Sequence, residues 1–255
     1  MYPAERQLAI LAEARSGDGR VSVARLSARL GVTSTTIRRD LDDLERDGVL
    51  RRQHGGAQLV RTVPFEPALL VRRATDAAER GRIAQAVVQL LPDDGVVLLD
   101  SGALMLSVAE IFPTDRDLVV VTNNLPAAVV LAAHPCLTVI ALPGRVRSLT
   151  QATVDERARA RLEGLNVDLA LLGANGLTSA GATTTIPAEA AIKHQMITTA
   201  RRSVLAVTAP KVGVTSFCRF ADVEEFEQII TDDRITENER DDLEGAGIEL
   251  MVVTG

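Results

Sequence analysis

Apolar residues recur at helical spacing three times within the first sixty residues of the chain. The three stripes are Leu8, Leu11 and Ala12; Val23, Leu26 and Leu30; and Ile37, Leu41 and Leu44. Spacings of three and four residues place the members of a stripe on one face of an α-helix. Ser22 and Thr33 stand where N-caps belong, and Gly31 stands where the second helix must turn. The pattern predicts three short helices, the last two joined as a helix-turn-helix.

A short hairpin is predicted directly after the third helix. Residues 49–60, VLRRQHGGAQLV, contain two strand-capable runs around Gly55 and Gly56, which can adopt the positive φ angles of a tight turn. Such a hairpin would form a wing, and residues 1–60 are therefore predicted to be a winged helix-turn-helix domain. Pro64 and Pro67 interrupt residues 61–73. Because proline lacks the N–H that a helix or a central strand needs, we interpret this stretch as a linker.

Beyond the linker, short aliphatic runs alternate with helical segments. An amphipathic helix is predicted near residues 75–91, with Ile83, Val87 and Leu90 on one stripe. The aliphatic runs lie at residues 96–99, 118–121, 137–142, 168–173, 203–208, 228–231 and 248–253. Runs that are apolar on both faces and separated by helices are typical of a buried parallel sheet. Residues 74–255 are therefore predicted to form an α/β domain with a largely parallel sheet.

Composition narrows the classes of function. Aromatic residues make up only 2% of the chain, which argues against a surface that stacks single-stranded bases. Cys136 and Cys218 lie far apart and the histidines have no metal-like spacing, so no disulfide framework, metal site or cofactor is predicted. No apolar run approaches the roughly 18 residues of a membrane span, and the N-terminus lacks a signal-peptide pattern. We expect a cytoplasmic protein without a membrane partner.

Charge is distributed unevenly between the two predicted domains. Residues 1–60 carry ten Arg and eight acidic residues, a net +2, whereas the rest of the chain carries −8 within a total of −6. Successive side chains of an α-helix are rotated by about 100° around its axis. If Ile37 lies at the centre of the core-facing side of the third helix, this rotation predicts which side chains face outward. They are Thr35, Arg39 and Arg46, with Arg38 on the flank. Guanidinium and hydroxyl groups at the start of a helix suit the guanine edges and phosphates of a major groove. The alternative is a solvated helix face with these arginines paired to Asp42 and Asp43.

Polar residues and glycines follow several of the predicted strands. They are Asp100, Ser101 and Gly102; Asn123 and Asn124; Gly144 and Arg145; Gly173 and Asn175; and Lys211. Glu189 and Lys193 lie four residues apart on one helix face, where a surface ion pair of little energetic worth is the alternative. No single loop is specific, because Gly, Asn and Asp are common turn formers. Since ligands bind beyond the carboxyl ends of parallel strands, their convergence at one sheet edge predicts an effector site.

The stretch that begins at Arg6 contains the motif TTIRRDL, followed by a Gly-x-Leu turn and the HGGA wing. In these motifs the N-terminal segment resembles the DNA-binding domain of the DeoR family of bacterial transcription regulators. The resemblance continues through most of the chain to IITD. It implies operator contacts from Thr33, Ser34, Thr35, Thr36, Arg38 and Arg39 on the third helix and from Arg51, Arg52 and His54 in the wing. Asp40 lies closer to the core face, so we expect it to pair with a basic group inside the domain.

The same resemblance implies a sensor domain similar in fold to ribose phosphate isomerases and CoA transferases. Family members commonly bind phosphorylated sugars that release them from DNA. The family positions that line this pocket are matched by Asp100, Gly102, Asn123, Gly144, Gly173 and Lys211. The chain departs from the family pattern at Ala103, Leu104 and Met105 in place of Thr-Thr, at Pro143 in place of Gly, and at Asp155 near a usual Gly. Hydroxyl groups suited to phosphate are thus missing, and Asp155 would repel an anion if it faces the pocket.

These observations predict a DNA-binding regulator of a carbohydrate-metabolism operon, expected to be a repressor controlled by a sugar phosphate or sugar derivative. The expected partners are double-stranded operator DNA, the effector, and further copies of the chain in a homodimer or higher oligomer, because two half-sites require two DNA-binding domains. The alternative from another class is a sugar phosphate isomerase-like enzyme with an added DNA-binding domain. Asp100, Glu189 and Lys211 could serve it, yet no catalytic loop with two or three spaced acids is visible. An architectural DNA binder would leave the second domain unexplained.

Overall fold

The structure, a computed structural model, describes residues 3–16, 19–46, 50–53, 55–59, 69–74 and 76–255. Contacts divide the chain into two compact units, residues 1–72 and residues 73–255. No helix in the described part of the chain is long and apolar enough to cross a membrane.

The first unit is a three-helix domain with a small antiparallel sheet. Its elements are α1 (Pro3–Ser16), β1 (Arg20–Ser22), α2 (Val23–Leu30), α3 (Ser34–Arg46), β2 (Leu50–Gln53) and β3 (Gly56–Leu59). The predicted helices and the wing hairpin are confirmed. Gly31 ends α2 with φ of 64°, a left-handed conformation that glycine adopts without steric cost.

Strand β1 was not predicted, and it completes the wing. The sheet order is β1-β3-β2, so β3 of the hairpin pairs with β1 on one side and with β2 on the other. A Cβ on Gly56 would lie 2.0 Å from the carbonyl oxygen of Val21, so only glycine allows β1 to approach this closely. The wing is thereby attached to the helical core, which contains Ile10, Leu11, Leu26, Ile37, Leu41 and Leu50 among its buried side chains.

The predicted linker is wrong over its second part, and its first part is not tested. Residues 61–68 lie outside the described residues, whereas residues 69–73, which were also assigned to the linker, are helical in α4 (Leu69–Ala74). Pro67 is the last helix-breaking proline of this stretch. Residues 69–74, LLVRRA, contain neither proline nor glycine and can therefore form a helix. Leu69 is buried, which supplies the packing that a short helix needs.

The second unit alternates helices and strands. Its helices are α5 (Ala77–Val88), α6 (Ala103–Glu110), α7 (Leu125–Leu131), α8 (Glu156–Leu162), α9 (Pro187–Thr199) and α10 (Glu237–Glu244). Its strands are β4 (Asp94–Leu99), β5 (Asp117–Thr122), β6 (Leu137–Ala141), β7 (Val146–Arg147), β8 (Ala152–Thr153), β9 (Val167–Leu172), β10 (Gly176–Thr178), β11 (Gly181–Thr184), β12 (Ala200–Ala206), β13 (Cys218–Ala221), β14 (Gln228–Asp232) and β15 (Glu249–Val253). Two 3₁₀ turns lie at Ala209–Lys211 and Val223–Glu225.

All seven predicted aliphatic runs are strands of one sheet, in the order β15-β14-β12-β9-β4-β5-β6. Every neighbouring pair in this sheet is parallel. The chain runs outward from β4 through β5 to β6, then returns to the other side of β4 and continues through β9, β12, β14 and β15. The topological switch point therefore lies between β4 and β9, which is where open α/β sheets bind their ligands.

Two smaller antiparallel elements were not predicted. Strands β10, β11 and β13 form a three-stranded sheet, and β7 with β8 forms a hairpin between β6 and α8. Sequences such as GLT and GATT contain no aliphatic run, so their pattern does not distinguish a strand from a loop. Gly176 and Gly181 allow backbones to pack closely, because a Cβ at either position would lie within 2.3 Å of a neighbouring carbonyl oxygen.

Candidate functional site

Helix α3 is fixed in the first unit by its apolar face, its N-cap and one buried ion pair. Ile37 and Leu41 are fully buried, and the Thr33 hydroxyl accepts a hydrogen bond from the backbone N–H of Thr36 at 3.2 Å. The carboxylate of Asp40 accepts two hydrogen bonds from the guanidinium of Arg6, at 2.7 and 3.0 Å. This bidentate pair joins α1 to α3 and confirms the expectation that Asp40 pairs inside the domain.

The outward face of α3 carries the predicted DNA-reading side chains. Thr35, Arg38 and Arg39 are exposed, while Ser34 and Thr36 are partly buried. Neither Arg38 nor Arg39 forms an ion pair with any residue that the structure describes. The alternative, in which these two arginines are neutralised by Asp42 and Asp43, is therefore not observed. Two guanidinium groups remain available to a partner on one helix face.

The wing arginines differ from one another. Arg51 is exposed, as a phosphate contact requires. Arg52 instead donates from Nη1 to the carbonyl oxygen of Gly56 at 2.9 Å, lies 3.0 Å from Asp42, and donates its backbone N–H to Glu45 at 2.8 Å. Asp42 and Glu45 belong to α3, so Arg52 attaches the wing to this helix. His54, also assigned to the DNA surface, lies outside the described residues.

A buried ion pair lies at the switch point of the second unit. Asp100 follows β4 and Lys193 is on α9, and both side chains are almost completely buried. Lys193 Nζ donates to Asp100 Oδ2 and to the carbonyl oxygen of Gly173 at 2.9 Å. The same Oδ2 accepts the backbone N–H of Gly173 at 3.0 Å. Three of the predicted effector residues, from two strand ends and a helix, are therefore in contact.

Glu189 forms a second buried cluster, one turn before Lys193 on α9. Its carboxylate accepts hydrogen bonds from Arg147 Nη1 at 2.8 Å and from the Thr150 hydroxyl at 3.2 Å, and the Thr184 hydroxyl lies 3.3 Å away. The Thr184 hydroxyl is also 2.9 Å from Asn175 Oδ1. The alternative of a surface ion pair between Glu189 and Lys193 is wrong, because each residue is buried with a partner of its own.

Asn124 holds the loops of the site together. Its Oδ1 accepts the N–H of Ala127 and caps α7, while its Nδ2 donates to the carbonyl oxygens of Asp100 and Gly102 at 3.4 and 3.3 Å. The residue is fully buried. The structure thus places Asn124 as a support between the β4 and β5 loops, whereas the sequence suggested a direct contact with the effector. Ser101, next to Asp100, is also buried.

The carboxylate of Asp155 binds the backbone of the loop that follows β6. Asp155 Oδ2 accepts the backbone N–H of Arg145 at 2.8 Å, and Oδ1 accepts the N–H groups of Arg157 and Ala158 at the start of α8. The bond from the Arg145 N–H, together with these helix N–H groups, lowers the pKa of the Asp155 carboxyl. Gly144, with φ of 138°, packs against this carboxylate, and a Cβ there would lie 2.6 Å from it. The side chain of Arg145 is exposed.

Two further features complete the site. Lys211 Nζ donates to the carbonyl oxygen of Ala174 at 2.7 Å, which brings the β12 loop beside the β9 loop. Helix α6 begins after Gly102, whose φ of 110° favours glycine, and its first residues are the buried Ala103, Leu104 and Met105. The first turn of this helix therefore carries no hydroxyl side chain.

Sequence reasoning missed four polar residues that the structure adds to the site. They are Arg147, Thr150 and Thr153, on or within the β7–β8 hairpin, and Thr184 on β11. Three of the four carry hydroxyl groups that are largely buried. The run ATTT at residues 182–185 was the one visible indication, since three successive threonines on a buried strand need hydrogen-bond partners.

Comparison with known proteins assigns both units. Residues 6–63 match the DeoR-like helix-turn-helix domain and residues 75–233 match the DeoR C terminal sensor domain. The HTH-type transcriptional regulator GlpR of Haloferax volcanii is 35% identical over 98% of both chains. The lactose phosphotransferase system repressor of Lactococcus lactis is 27% identical over 86% of this chain and 87% of its own. Ribose 5-phosphate isomerase A of Methanocaldococcus jannaschii aligns with 54% of this chain and 55% of its own at a TM-score of 0.40 and 12% identity. The chain therefore belongs to the DeoR family of DNA-binding transcriptional regulators and is not an enzyme.

Proposed function

We propose that this regulator represses a carbohydrate-metabolism operon and that a small metabolite bound in the second unit releases it from operator DNA. The DNA-binding part of this proposal rests on the exposed face of α3. Arg38 and Arg39 on this face have no ion-pair partner among the described residues. Uncommitted guanidinium groups beside exposed hydroxyls are what base edges and phosphates require. A repressing role is supported by the Lactococcus relative, which is named as a repressor of a lactose phosphotransferase system.

The effector half of the proposal is supported by the polar cluster at the switch point. Asp100, Gly173 and Lys193 lie together where β4 and β9 diverge, and Glu189 forms its own polar cluster one turn away on the same helix. Carboxylate oxygens and backbone carbonyls dominate these groups, and they accept hydrogen bonds from ligand hydroxyls. A sugar or sugar derivative, which carries several hydroxyl donors, matches these buried polar clusters.

A phosphate group on that sugar is expected to contribute little affinity. The cations Lys193 and Arg147 already form ion pairs with Asp100 and Glu189, respectively. The backbone N–H of Arg145 already donates a hydrogen bond to the Asp155 carboxylate. The hydroxyl side chains that the family usually places at the start of α6 are replaced by Ala103 and Leu104. Each missing hydrogen bond to a charged acceptor is worth about 1.5 to 3 kcal/mol, or roughly ten- to a hundredfold in affinity.

The test is a gel shift of the promoter DNA of the chain's own gene, repeated with glucose, fructose, glycerol and their phosphate esters. We expect the purified chain to retard this DNA and one of these compounds to release it. The phosphate ester should release the DNA at a concentration similar to that of the free sugar. Micromolar release by an ester alone, lost on dephosphorylation, would contradict the expected weakness of phosphate binding. Failure to bind the promoter would contradict the proposal as a whole.

A further inference from the structure

Two buried polar atoms beside the site lack hydrogen-bond partners among the described residues. They are Oδ1 of Asn123, at the end of β5, and Oγ1 of Thr153, on β8. Both residues are about 97% buried, with exposed fractions of 2% and 3%. Burying a hydroxyl or amide oxygen without a hydrogen-bond partner destabilises the folded state, so folded proteins retain few such atoms. Two of them on adjoining residues require an explanation.

Asn123 and Thr153 are connected by hydrogen bonds. The N–H of Thr153 donates to the carbonyl oxygen of Asn123 at 2.9 Å, and Asn123 Nδ2 lies 3.5 Å from the carbonyl oxygen of Thr153. This contact also fixes the amide orientation, because exchanging O and N would place two acceptor oxygens together. Oδ1 is consequently an acceptor without a donor among the described residues. The hydroxyl of Thr153, the residue bonded to Asn123 through the backbone, is able to donate or accept.

The pair belongs to the same loop cluster as the predicted effector residues. Asn124, next in the chain, donates to the carbonyl oxygens of Asp100 and Gly102. The β7–β8 hairpin that carries Thr153 also carries Arg147 and Thr150, which bind Glu189. Asn123 and Thr153 are therefore connected to the loop that carries Asp100 and to the hairpin that binds Glu189.

We propose that Asn123 and Thr153 form a subsite for one hydroxyl group of the effector. The ligand hydroxyl donates its proton to Asn123 Oδ1 and accepts a hydrogen bond from the Thr153 hydroxyl. Thr153 thereby becomes a specificity-determining residue, because a deoxy ligand would leave both atoms unsatisfied. Both atoms are shielded from solvent, so a ligand reaches them only when the surrounding loops rearrange. This inference rests on the proposed sensing function.

The matched variants are Thr153→Val, Thr153→Ser and Thr231→Val. Valine preserves the shape of threonine while removing the hydroxyl, and serine retains the hydroxyl. Thr231 is fully buried on β14, and its hydroxyl also has no hydrogen-bond partner within the part of the chain that the structure describes. Strands β12, β9 and β4 separate β14 from β5, which places this control roughly 19 Å from Asn123 at about 4.8 Å per strand.

Thermal unfolding of the full chain without added sugar is the first measurement. Removing an unsatisfied hydroxyl should raise the Tm by about 2 to 4 °C in both Thr153→Val and Thr231→Val. A lower Tm for Thr153→Val would show that its hydroxyl is bonded, to protein or to an internal water, and would overturn the proposal.

Calorimetric titration with glucose, fructose, glycerol and their phosphate esters is the second measurement. The compound that binds the wild-type chain should bind Thr153→Val about tenfold more weakly, while Thr153→Ser and Thr231→Val retain wild-type affinity. Higher stability with lower affinity separates a ligand contact from a structural role, which would lower both. Unchanged affinity in Thr153→Val, or no binding by any compound, would overturn the subsite. Thr153-dependent binding that leaves the promoter bound would contradict the proposed release of DNA and retain the subsite.

Discussion

At the scale of single residues, similar side chains have different roles because of their partners. Arg39 and Arg52 are both arginines of the predicted DNA surface, yet Arg39 has no ion-pair partner among the described residues and Arg52 bonds to Gly56 and Asp42. The sequence indicated both as DNA contacts, since spacing shows which face a side chain occupies but not which neighbour it meets. Only the folded hairpin brings Arg52 to α3.

The first prediction follows from this difference. Arg39→Ala should weaken binding to the promoter by about 1 to 3 kcal/mol and reduce discrimination against other sequences, because it removes a base or phosphate contact. Arg52→Ala should lower the stability of the first unit and weaken binding to all sequences alike. Competition gel shifts with promoter and shuffled DNA measure both effects. An Arg39→Ala chain with unchanged preference for the promoter would remove Arg39 from sequence readout.

The Asp100–Lys193 pair provides a second prediction at the residue scale. Lys193→Met should destabilise the second unit by about 3 to 5 kcal/mol, because it leaves the Asp100 carboxylate buried without its cation. Asp100→Asn combined with Lys193→Met should cost less than the sum of the two single changes. Urea unfolding of the four chains gives the coupling energy. Additive effects would show that the two residues do not stabilise one another.

At the scale of elements, the seven strands of the parallel sheet were predictable and the smaller strands were not. The long strands are aliphatic on both faces because helices cover the sheet on both sides. Strands β1, β7, β8, β10 and β11 are two to four residues long and are rich in Gly, Ala and Thr or carry single apolar residues. Their pairing depends on tertiary contacts that no local pattern records. Thr153 and Thr184 were missed for this reason.

Helix α8 provides the prediction at this scale. Asp155 caps its N-terminus and closes the β6 loop, and the Arg145 N–H lowers its pKa. A carboxyl whose pKa is lower in the folded state stabilises the fold above its unfolded pKa, near 3.9 for Asp, and this contribution is lost as the pH falls through the lowered pKa. Asp155→Asn retains a capping side chain but loses the charge. The variant should therefore have a lower Tm than the wild type at pH 6.

The comparison of Tm across pH isolates this single group. The difference between the wild type and Asp155→Asn should shrink as the pH is lowered below about 4, since the wild-type carboxyl then becomes protonated as well. A difference that stays constant from pH 6 to the acid limit of folding would assign the effect of Asp155 to geometry alone.

At the scale of the whole molecule, charge is divided between the two units. The first sixty residues carry a net +2 and the remainder −8, so nucleic acid should be attracted to the first unit only. Binding that depends on arginine contacts releases counterions from DNA, and its affinity should fall steeply between 50 and 200 mM salt. Fluorescence anisotropy with labelled promoter DNA measures this slope. An affinity independent of salt would be incompatible with phosphate contacts from α3 and the wing.

The central claim is that this DeoR-family regulator binds DNA through the exposed face of α3. Its most direct test is the affinity of the full chain for its own promoter after Arg38→Ala with Arg39→Ala, compared with Arg157→Ala with Arg201→Ala. The second pair removes the same charge from exposed positions of the sensor unit. The α3 pair should weaken binding at least about thirtyfold, and the sensor pair should change it less than about twofold. Equal losses in the two double variants would contradict the assignment of α3 as the DNA-reading element.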